Sequence, residues 1–367
     1  MRVKKPKRRL VICADGTWNT SDQDRNHGSN PTNVLHLARA VRPIDARGIS
    51  QIVFYHQGVG TGMWYVDKAA GGALGAGIDY NIRDLYRFLI NNYSPGDEIF
   101  LFGFSRGAFT VRSLSGLIQK CGILRSTHAH LEKEAWSIYL NRSIRSFSAR
   151  ASEFRKNNSY AAKIKLLGVW DTVGSLGIPS TAKKQFREVY EFHDLSLGSN
   201  VQRAYQALAI DERRGDFVPC LWKSATDGQL MRQVWFAGGH SNVGGGLPQD
   251  DLSNIALKWM ITRAQESGLS FEKTYLAKLT ENHRGQIVDL CGKAPYWLRA
   301  KYERVLFDLK KRSTTNEEVH HSVLHRCRDV VDYRPANLEK AIREQRYSKP
   351  KRLKPPPSGS VSAAWHY

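Results

Sequence analysis

The feature that most constrains this chain is a pentapeptide, Gly103-Phe104-Ser105-Arg106-Gly107. It lies between an apolar run, Glu98–Gly103 (EIFLFG), and a helical pattern, Ala108–Cys121, closed by Gly122. G-x-S-x-G alone is a common sequence, and its serine can simply cap a helix. At a strand-to-helix junction its meaning narrows. A serine there stands on a tight, strained turn with its Oγ projecting from the sheet edge, and the flanking glycines leave room for the neighbouring strand and helix. The N–H of Arg106 and the start of the helix then face a developing oxyanion. Such a serine is a nucleophile, and it needs a base and an acid that orients the base.

The surrounding pattern supplies a frame. Leu10–Ala14 (LVICA), Gln51–Tyr55 (QIVFY), Lys163–Trp170 (KIKLLGVW) and Gln233–Ala237 (QVWFA) read as buried strands. Asn33–Val41 and Tyr80–Tyr93 carry helical spacing, the second stopped by Pro95-Gly96-Asp97. Apolar strands separated by helices predict an α/β fold: a mostly parallel central sheet with helices on both faces. With the elbow, the class is α/β-hydrolase-like, in which the order along the chain is Ser, then Asp or Glu, then His. Asp171 follows KIKLLGVW and His240 follows QVWFA, both at the carboxyl ends of strands, where catalytic groups collect. Asp171 can also be a plain turn residue, and His240 a phosphate contact or metal ligand. Asp211, in AIDERR, is the reserve acid. Asp15-Gly16-Thr17 follows the first strand, so the N–H of Gly16 or Thr17 is the expected second oxyanion donor. Asp15 can instead, or as well, pin that loop through hydrogen bonds. The chemistry calls for no cofactor and no metal.

Other segments carry weaker signals. Gly58-Val59-Gly60-Thr61-Gly62 hints at a dinucleotide loop but is not G-x-G-x-x-G, and no clear helix opens after it. His320, His321 and His325, near Glu317 and Glu318, have the spacing of a polar helix face rather than a metal cluster. Asp251 is expected to cap the helix that starts LSNIALKWM. From about Ser270 onward there are helical segments and loops without a clear strand. Residues 125–160 form a helical insertion that mixes Arg142, Arg145, Arg150, Arg155 and Lys156 with Trp136, Tyr139, Phe147 and Phe154, a candidate lid and membrane-facing surface. The expected organisation is a basic arm, 1–8, one catalytic domain, 9–346, and a disordered basic, proline-rich tail, 347–367.

Composition bounds the partners. The 367 residues, 41% of them hydrophobic, can bury a sizeable core. Fifty-five Lys and Arg against 34 Asp and Glu leave a net charge of +21, which attracts an anionic membrane surface or nucleic acid. The Ser, Asp and His set in the required order argues against nucleic acid. Five widely spaced cysteines without a CxxC argue against a disulfide framework or a structural zinc and suit a reducing compartment. No apolar run approaches the ~20 residues of a membrane helix. The apolar run after the basic start ends at Asp15, short of the roughly 7–15 residues of a signal peptide core. The chain is therefore expected to be cytoplasmic as synthesised, with any export through a dedicated secretion system. Oligomeric state is left open.

The stretches ICADGTWNT, FYHQGVGTG, GDEIFLFGFSRGAFTVRSLSGLI, IKLLGVWDTVGSLG, ALAIDERR, QVWFAGGHSNVGGG, LSNIALKWM and HHSVLHR resemble a bacterial family. It is the α/β-hydrolase catalytic domain of the first class of type VI secretion lipase effectors. The resemblance runs from about residue 9 to residue 340. It implies phospholipase activity, with cleavage of an acyl ester of a glycerophospholipid, and the triad Ser105, Asp171 and His240. The same chemistry on another acyl ester, or a non-catalytic basic binding protein, are the rival readings. Two positions depart from the family pattern: Gln206 stands where members often carry His, and Asn242 where they often carry Asp. The long extra region of dedicated membrane-attacking members is also missing.

Overall fold

The computed structural model describes residues 8–16, 30–58, 73–173, 197–223, 225–226, 228–291, 301–308 and 315–347. The first half runs β1 (Arg9–Ala14), α1 (Asn33–Ala40), β2 (Gln51–His56), α2 (Ala73–Asn92), β3 (Glu98–Phe104) and α3 (Arg106–Cys121). Next come β4 (Ile123–Leu124), α4 (Glu132–Leu140), α5 (Ala149–Asn158), β5 (Ser159–Tyr160) and β6 (Ile164–Trp170). The second half runs β7 (Arg203–Ala209), β8 (Leu230–Phe236), α6 (His240–Gly244), α7 (Asp251–Glu266), β9 (Glu317–Val319), α8 (His321–Asp329) and α9 (Ala336–Arg343).

Seven of these strands form one sheet in the order β2-β1-β3-β6-β7-β8-β9, with every pairing parallel. Parallel strands are covered on both faces, and β1 is buried at all six positions. Its residues alternate between two layers. Leu10, Ile12 and Ala14 join a core with α2 and α3, while Val11 and Cys13 join a second core with α1 and α7. A third cluster, from Trp235 and Leu208 to Leu306, Phe307, Val323 and Leu338, fastens the C-terminal helices to the far side of the sheet.

The strand order turns the topology into a site. The chain leaves β1 towards β2 on one side and leaves β3 towards β6 on the other. Between the carboxyl ends of β1 and β3 the connections therefore part, which is where open α/β sheets keep their ligand crevice. Asp15 and Ser105 follow those two ends.

The insertion does not lie over this crevice. The α3 helix starts at Arg106 and runs back along the sheet for 16 residues, about 24 Å, and residues 123–160 pack on its last turns. The Cys121 thiol donates to Ala135 O, Lys120 Nζ to Tyr139 O and Asn141 O, and Arg155 Nη1 to Lys120 O. Strands β4 and β5 close the segment as a small antiparallel pair. Tyr139 and Phe154 are buried in the core and Trp136 packs against it, leaving Phe147 exposed. The expected lid is thus a prop at the opposite end of the sheet, with most of its aromatics spent on packing.

Other expectations are corrected in detail. Arg8, the last residue of the expected basic arm, is tied into the structure beside Arg9, the first residue of the domain. Arg8 pairs with Asp97 at 2.6 Å, and buried Arg9 donates to Asp45 at 2.9 Å and to Gln51 at 3.0 Å. The α7 cap is Asp250, whose carbonyl accepts the Asn254 N–H, so Asp251 is the first helical residue. A strand follows Ser270 after all, the three-residue β9, parallel to β8. None of the five cysteines is joined in a disulfide. Among the described residues no helix is long and apolar enough to cross a membrane.

The close approach of α7 to the sheet depends on Gly168. A Cβ there would lie 2.6 Å from the Met260 sulfur and 2.9 Å from the Phe102 ring. Gly168→Val is expected to lower stability by about 1–3 kcal/mol, and Met260→Ala in the same chain to recover part of it, measured by urea unfolding.

Candidate active site

Ser105 joins β3 to α3 with φ 57 and ψ −119, a backbone that a residue with a side chain rarely adopts. Its N–H donates to Trp170 O at 3.1 Å and its carbonyl accepts the Phe109 N–H, the first bond of the helix. The two glycines of the motif are sterically required. A Cβ on Gly103 would lie 2.5 Å from Gly107 O, and one on Gly107 would lie 2.1 Å from Ala14 O. The turn is therefore clamped between its own helix and the end of β1.

Asp15 is held beside that clamp. Thr32 Oγ1 donates to Oδ2 at 2.5 Å, Tyr55 OH to Oδ2 at 2.7 Å, and the Gly16 N–H to Oδ1 at 2.7 Å. Burial raises this carboxyl to about 6, against the pull of those hydrogen bonds. Of the two donors expected from the loop, the Gly16 N–H is thus engaged by Asp15, and Thr17 lies outside the described residues. The glycine-rich stretch after β2 lies outside them too, beyond Gly58.

Asp171 directly follows β6 with φ 40, and its N–H extends the sheet ladder to Ala207 O at 2.7 Å. The fully buried carboxylate accepts from His240 Nδ1 at 2.6 Å and from the Ala209 N–H at 3.0 Å. Because an ionised carboxylate only accepts, the shared proton sits on Nδ1 and the lone pair on Nε2. Burial by itself would raise this carboxyl. The Arg304 charge and hydrogen bonds from His240 and Arg304 outweigh it and hold the group well below the usual carboxylate range.

His240 opens α6 and is buried against the elbow, its ring centroid 4.6 Å from that of Phe104 and 4.9 Å from that of Phe217. Gly244 lets Phe104 in, since a Cβ there would lie 1.9 Å from the ring. The reserve acid, Asp211, is occupied elsewhere: its Oδ2 accepts from the Gly238 N–H and from Tyr333 OH. The structure therefore brings Asp171 and His240 together next to the Ser105 turn and leaves Asp211 as a brace for the histidine loop.

Glu212 and Arg304, which carry no sequence signal, complete the shell with Gln206 and Asn242. Glu212 accepts the His240 N–H at 3.1 Å and is itself locked by Arg214 at 2.8 Å. Arg304 forms a bidentate pair with Asp171. Gln206, buried in β7, accepts from Thr172 and Arg112 and donates to Cys220 O and Gln233, tying the loop after β7 to the sheet. The Asn242 Oδ1 accepts from the N–H groups of Gly239 and Val288, and its Nδ2 donates to Gln286 O. An Asp at that position could not make the last bond. In the histidine-rich segment, half-buried His320 caps α8 and stacks on Phe236 at 4.5 Å. Among the described residues no three His, Cys, Asp or Glu side chains are placed to hold a metal ion.

Comparison with known proteins fits this geometry to a family. Residues 8–263 match the family described as T6SS, phospholipase effector Tle1-like, catalytic domain. An uncharacterized protein of Saccharomyces cerevisiae, YEL023C, is 29% identical over 237 residues, covering 57% of this chain and 32% of that protein. An uncharacterized protein from Pseudomonas aeruginosa aligns with a TM-score of 0.45 and 17% identity, over 76% of this chain and 49% of that one. The Tle1 effector bound to the VgrG spike of the type VI secretion system aligns with a TM-score of 0.44 and 15% identity, over 84% and 83%. The chain spans about a third of the yeast relative and about half of the Pseudomonas protein. The family match takes in the elbow, Asp171 and His240 and covers well over half of the chain, which therefore belongs to the Tle1-like phospholipase effector catalytic-domain family.

Proposed function

We propose that the chain is a serine-dependent carboxylic ester hydrolase of phospholipase A type, with Ser105 as nucleophile, His240 as base and Asp171 as orienting acid. The observation that carries the reading is the 2.6 Å bond between His240 Nδ1 and Asp171 beside a serine held at φ 57. Ser105 Oγ bonds to the ester carbonyl carbon while His240 Nε2 takes its proton. The carbonyl electrons move onto oxygen, where the Arg106 N–H and a donor from the loop after β1 receive them. Collapse expels the alcohol, a lysophospholipid, which leaves with the proton from Nε2. Water then attacks the acyl-enzyme by the same path and releases the fatty acid. No cofactor enters these steps.

The substrate class rests on the family's description and on the apolar rings of Phe104 and Phe217 packed against the imidazole, which suit an acyl chain nearby. Delivery by a type VI apparatus rests on the family's description alone. A net charge of +21 supports peripheral docking on anionic membranes. With residues 125–160 at the far end of the sheet, that contact falls to other basic surfaces.

Ser105→Ala is expected to cut hydrolysis of phospholipid vesicles and short acyl esters by on the order of 10⁴-fold or more with an unchanged circular dichroism spectrum; a folded variant keeping a tenth of the activity would exclude Ser105 as nucleophile. Cleavage confined to short esters would make the protein an esterase rather than a phospholipase. Sedimentation with liposomes should rise with anionic lipid content and fall with salt, and binding indifferent to both would remove the electrostatic docking.

A further pH dependence follows from Asp15. A carboxyl raised in the folded state adds stability when protonated: the contribution is full below the unfolded value of 3.8 and is lost as pH rises through about 6. Wild-type stability relative to Asp15→Asn should therefore decline by about 3 kcal/mol between those limits and level off above them, as read from denaturant midpoints across the pH range.

A further inference from the structure

We propose that Arg304 is a positioning residue of the hydrolytic site: its fork fixes the Asp171 carboxylate, and its charge sets the pH at which His240 can serve as a base. The proposal rests on the triad reading above and deepens it.

The geometry is that of a dedicated clamp. Arg304 Nη1 donates to Asp171 Oδ1 at 2.5 Å and Nη2 to Oδ2 at 2.9 Å, and neither side chain has any exposure. Each nitrogen has one more contact. Nη1 donates to Ala209 O at 2.8 Å and Nη2 to Phe217 O at 2.7 Å. The fork therefore binds the acid, the end of β7 and the residue whose ring packs on His240. A lysine could not reproduce this planar pattern. Arg304 comes from 133 residues further along the chain, on a segment fastened at both ends. Lys301 bridges to Arg214, the Tyr302 N–H donates to Arg213 O, and Leu306 and Phe307 enter the third core cluster. It also lies beyond residue 263, where the family match ends.

The charge arithmetic gives the second role. In a triad without this cation, a carboxylate and an imidazolium sum to zero when the base holds the serine proton. Here Arg304 has already neutralised Asp171, so protonating His240 leaves the buried cluster at +1. The other groups around the ring do little to change that. Glu212 sits on the His240 N–H but is paired with Arg214, Asp211 is hydrogen-bonded to Tyr333 and Gly238, and Phe104 and Phe217 are apolar. The cation thus favours the neutral imidazole, the form that accepts the Ser105 proton, down to lower pH than the acid alone would allow.

The test compares Arg304→Gln, which removes the charge, with Arg304→Lys, which keeps the charge and loses the fork. The readouts are kcat/KM on a soluble p-nitrophenyl ester against pH, and the ring resonance of His240 in histidine-labelled protein against pH, assigned with His240→Asn. Arg304→Gln should move the acid-side midpoint of both curves upward by about one pH unit or more and lower kcat at least tenfold. Arg304→Lys should lower kcat while leaving the midpoint near that of wild type. If Arg304→Gln fails to fold because Asp171 is stranded, Arg304→Gln with Asp171→Asn is compared with Asp171→Asn alone, and the ring midpoint should still be higher without the cation. A folded charge-free variant whose ring midpoint matches its parent would reduce Arg304 to a strut and overturn the proposal. If wild type and Ser105→Ala do not differ on the ester, the triad reading falls, and the ring titration still decides what Arg304 does to His240.

Discussion

The backbone of Ser105 is held in a conformation that costs about 1–3 kcal/mol wherever a side chain adopts it, and the surrounding architecture is arranged so that it cannot relax. Its N–H is tied to the end of β6 and its carbonyl starts α3. Gly107 is pressed against the last peptide of β1 so closely that no other residue fits. Three adjacent strands must therefore be in parallel register before the turn can exist, and the sheet order β1-β3-β6 meets that condition. The same adjacency places Asp15 and Asp171 on either side of the serine, each at the carboxyl end of a neighbouring strand.

Charge is buried at both edges of this sheet, to different ends. At the amino edge, Arg9 is held by Asp45, Glu98 and Gln51 and anchors the first strand. At the carboxyl edge, Glu212 with Arg214 and Asp171 with Arg304 flank an imidazole, one pair on its main chain and one on its ring. Breaking a buried pair by removing one partner strands the other charge, commonly at about 3–5 kcal/mol. The groups around His240 are held in place by such pairs, which on the proposed reading suits a base that must meet a serine proton in one orientation.

Much of this was legible in the chain, because strong periodicity and strand-end punctuation are local signals. The apolar runs of β1, β3, β6 and β8 and the elbow between β3 and α3 were each recognisable, as were Asp171 and His240 as residues that follow a strand. β7 was obscured by Gln206 and three alanines, a mixture that lacks the β-branched character of a buried strand. β9 is too short to show any pattern. The insertion misled because arginines and aromatics at helical spacing look alike on a membrane-facing surface and on a prop, and the direction of α3 is what separates them. Glu212 and Arg304 carry no local mark at all. An arginine in a loop acquires its meaning from a carboxylate 133 residues away, a pairing that only the folded chain displays.

The position of Arg304 also has a meaning in time. A polypeptide is made from its amino end, so a ribosome that has completed the first 263 residues has already produced the serine, the aspartate, the histidine and the strands that carry them. The guanidinium is still to come. Until the segment around residue 301 has been made and has laid itself along Arg213 and Arg214, the carboxylate of Asp171 has no cation to settle against. On the proposed reading, a chain released early therefore carries the three groups of the triad without the cation that grips Asp171.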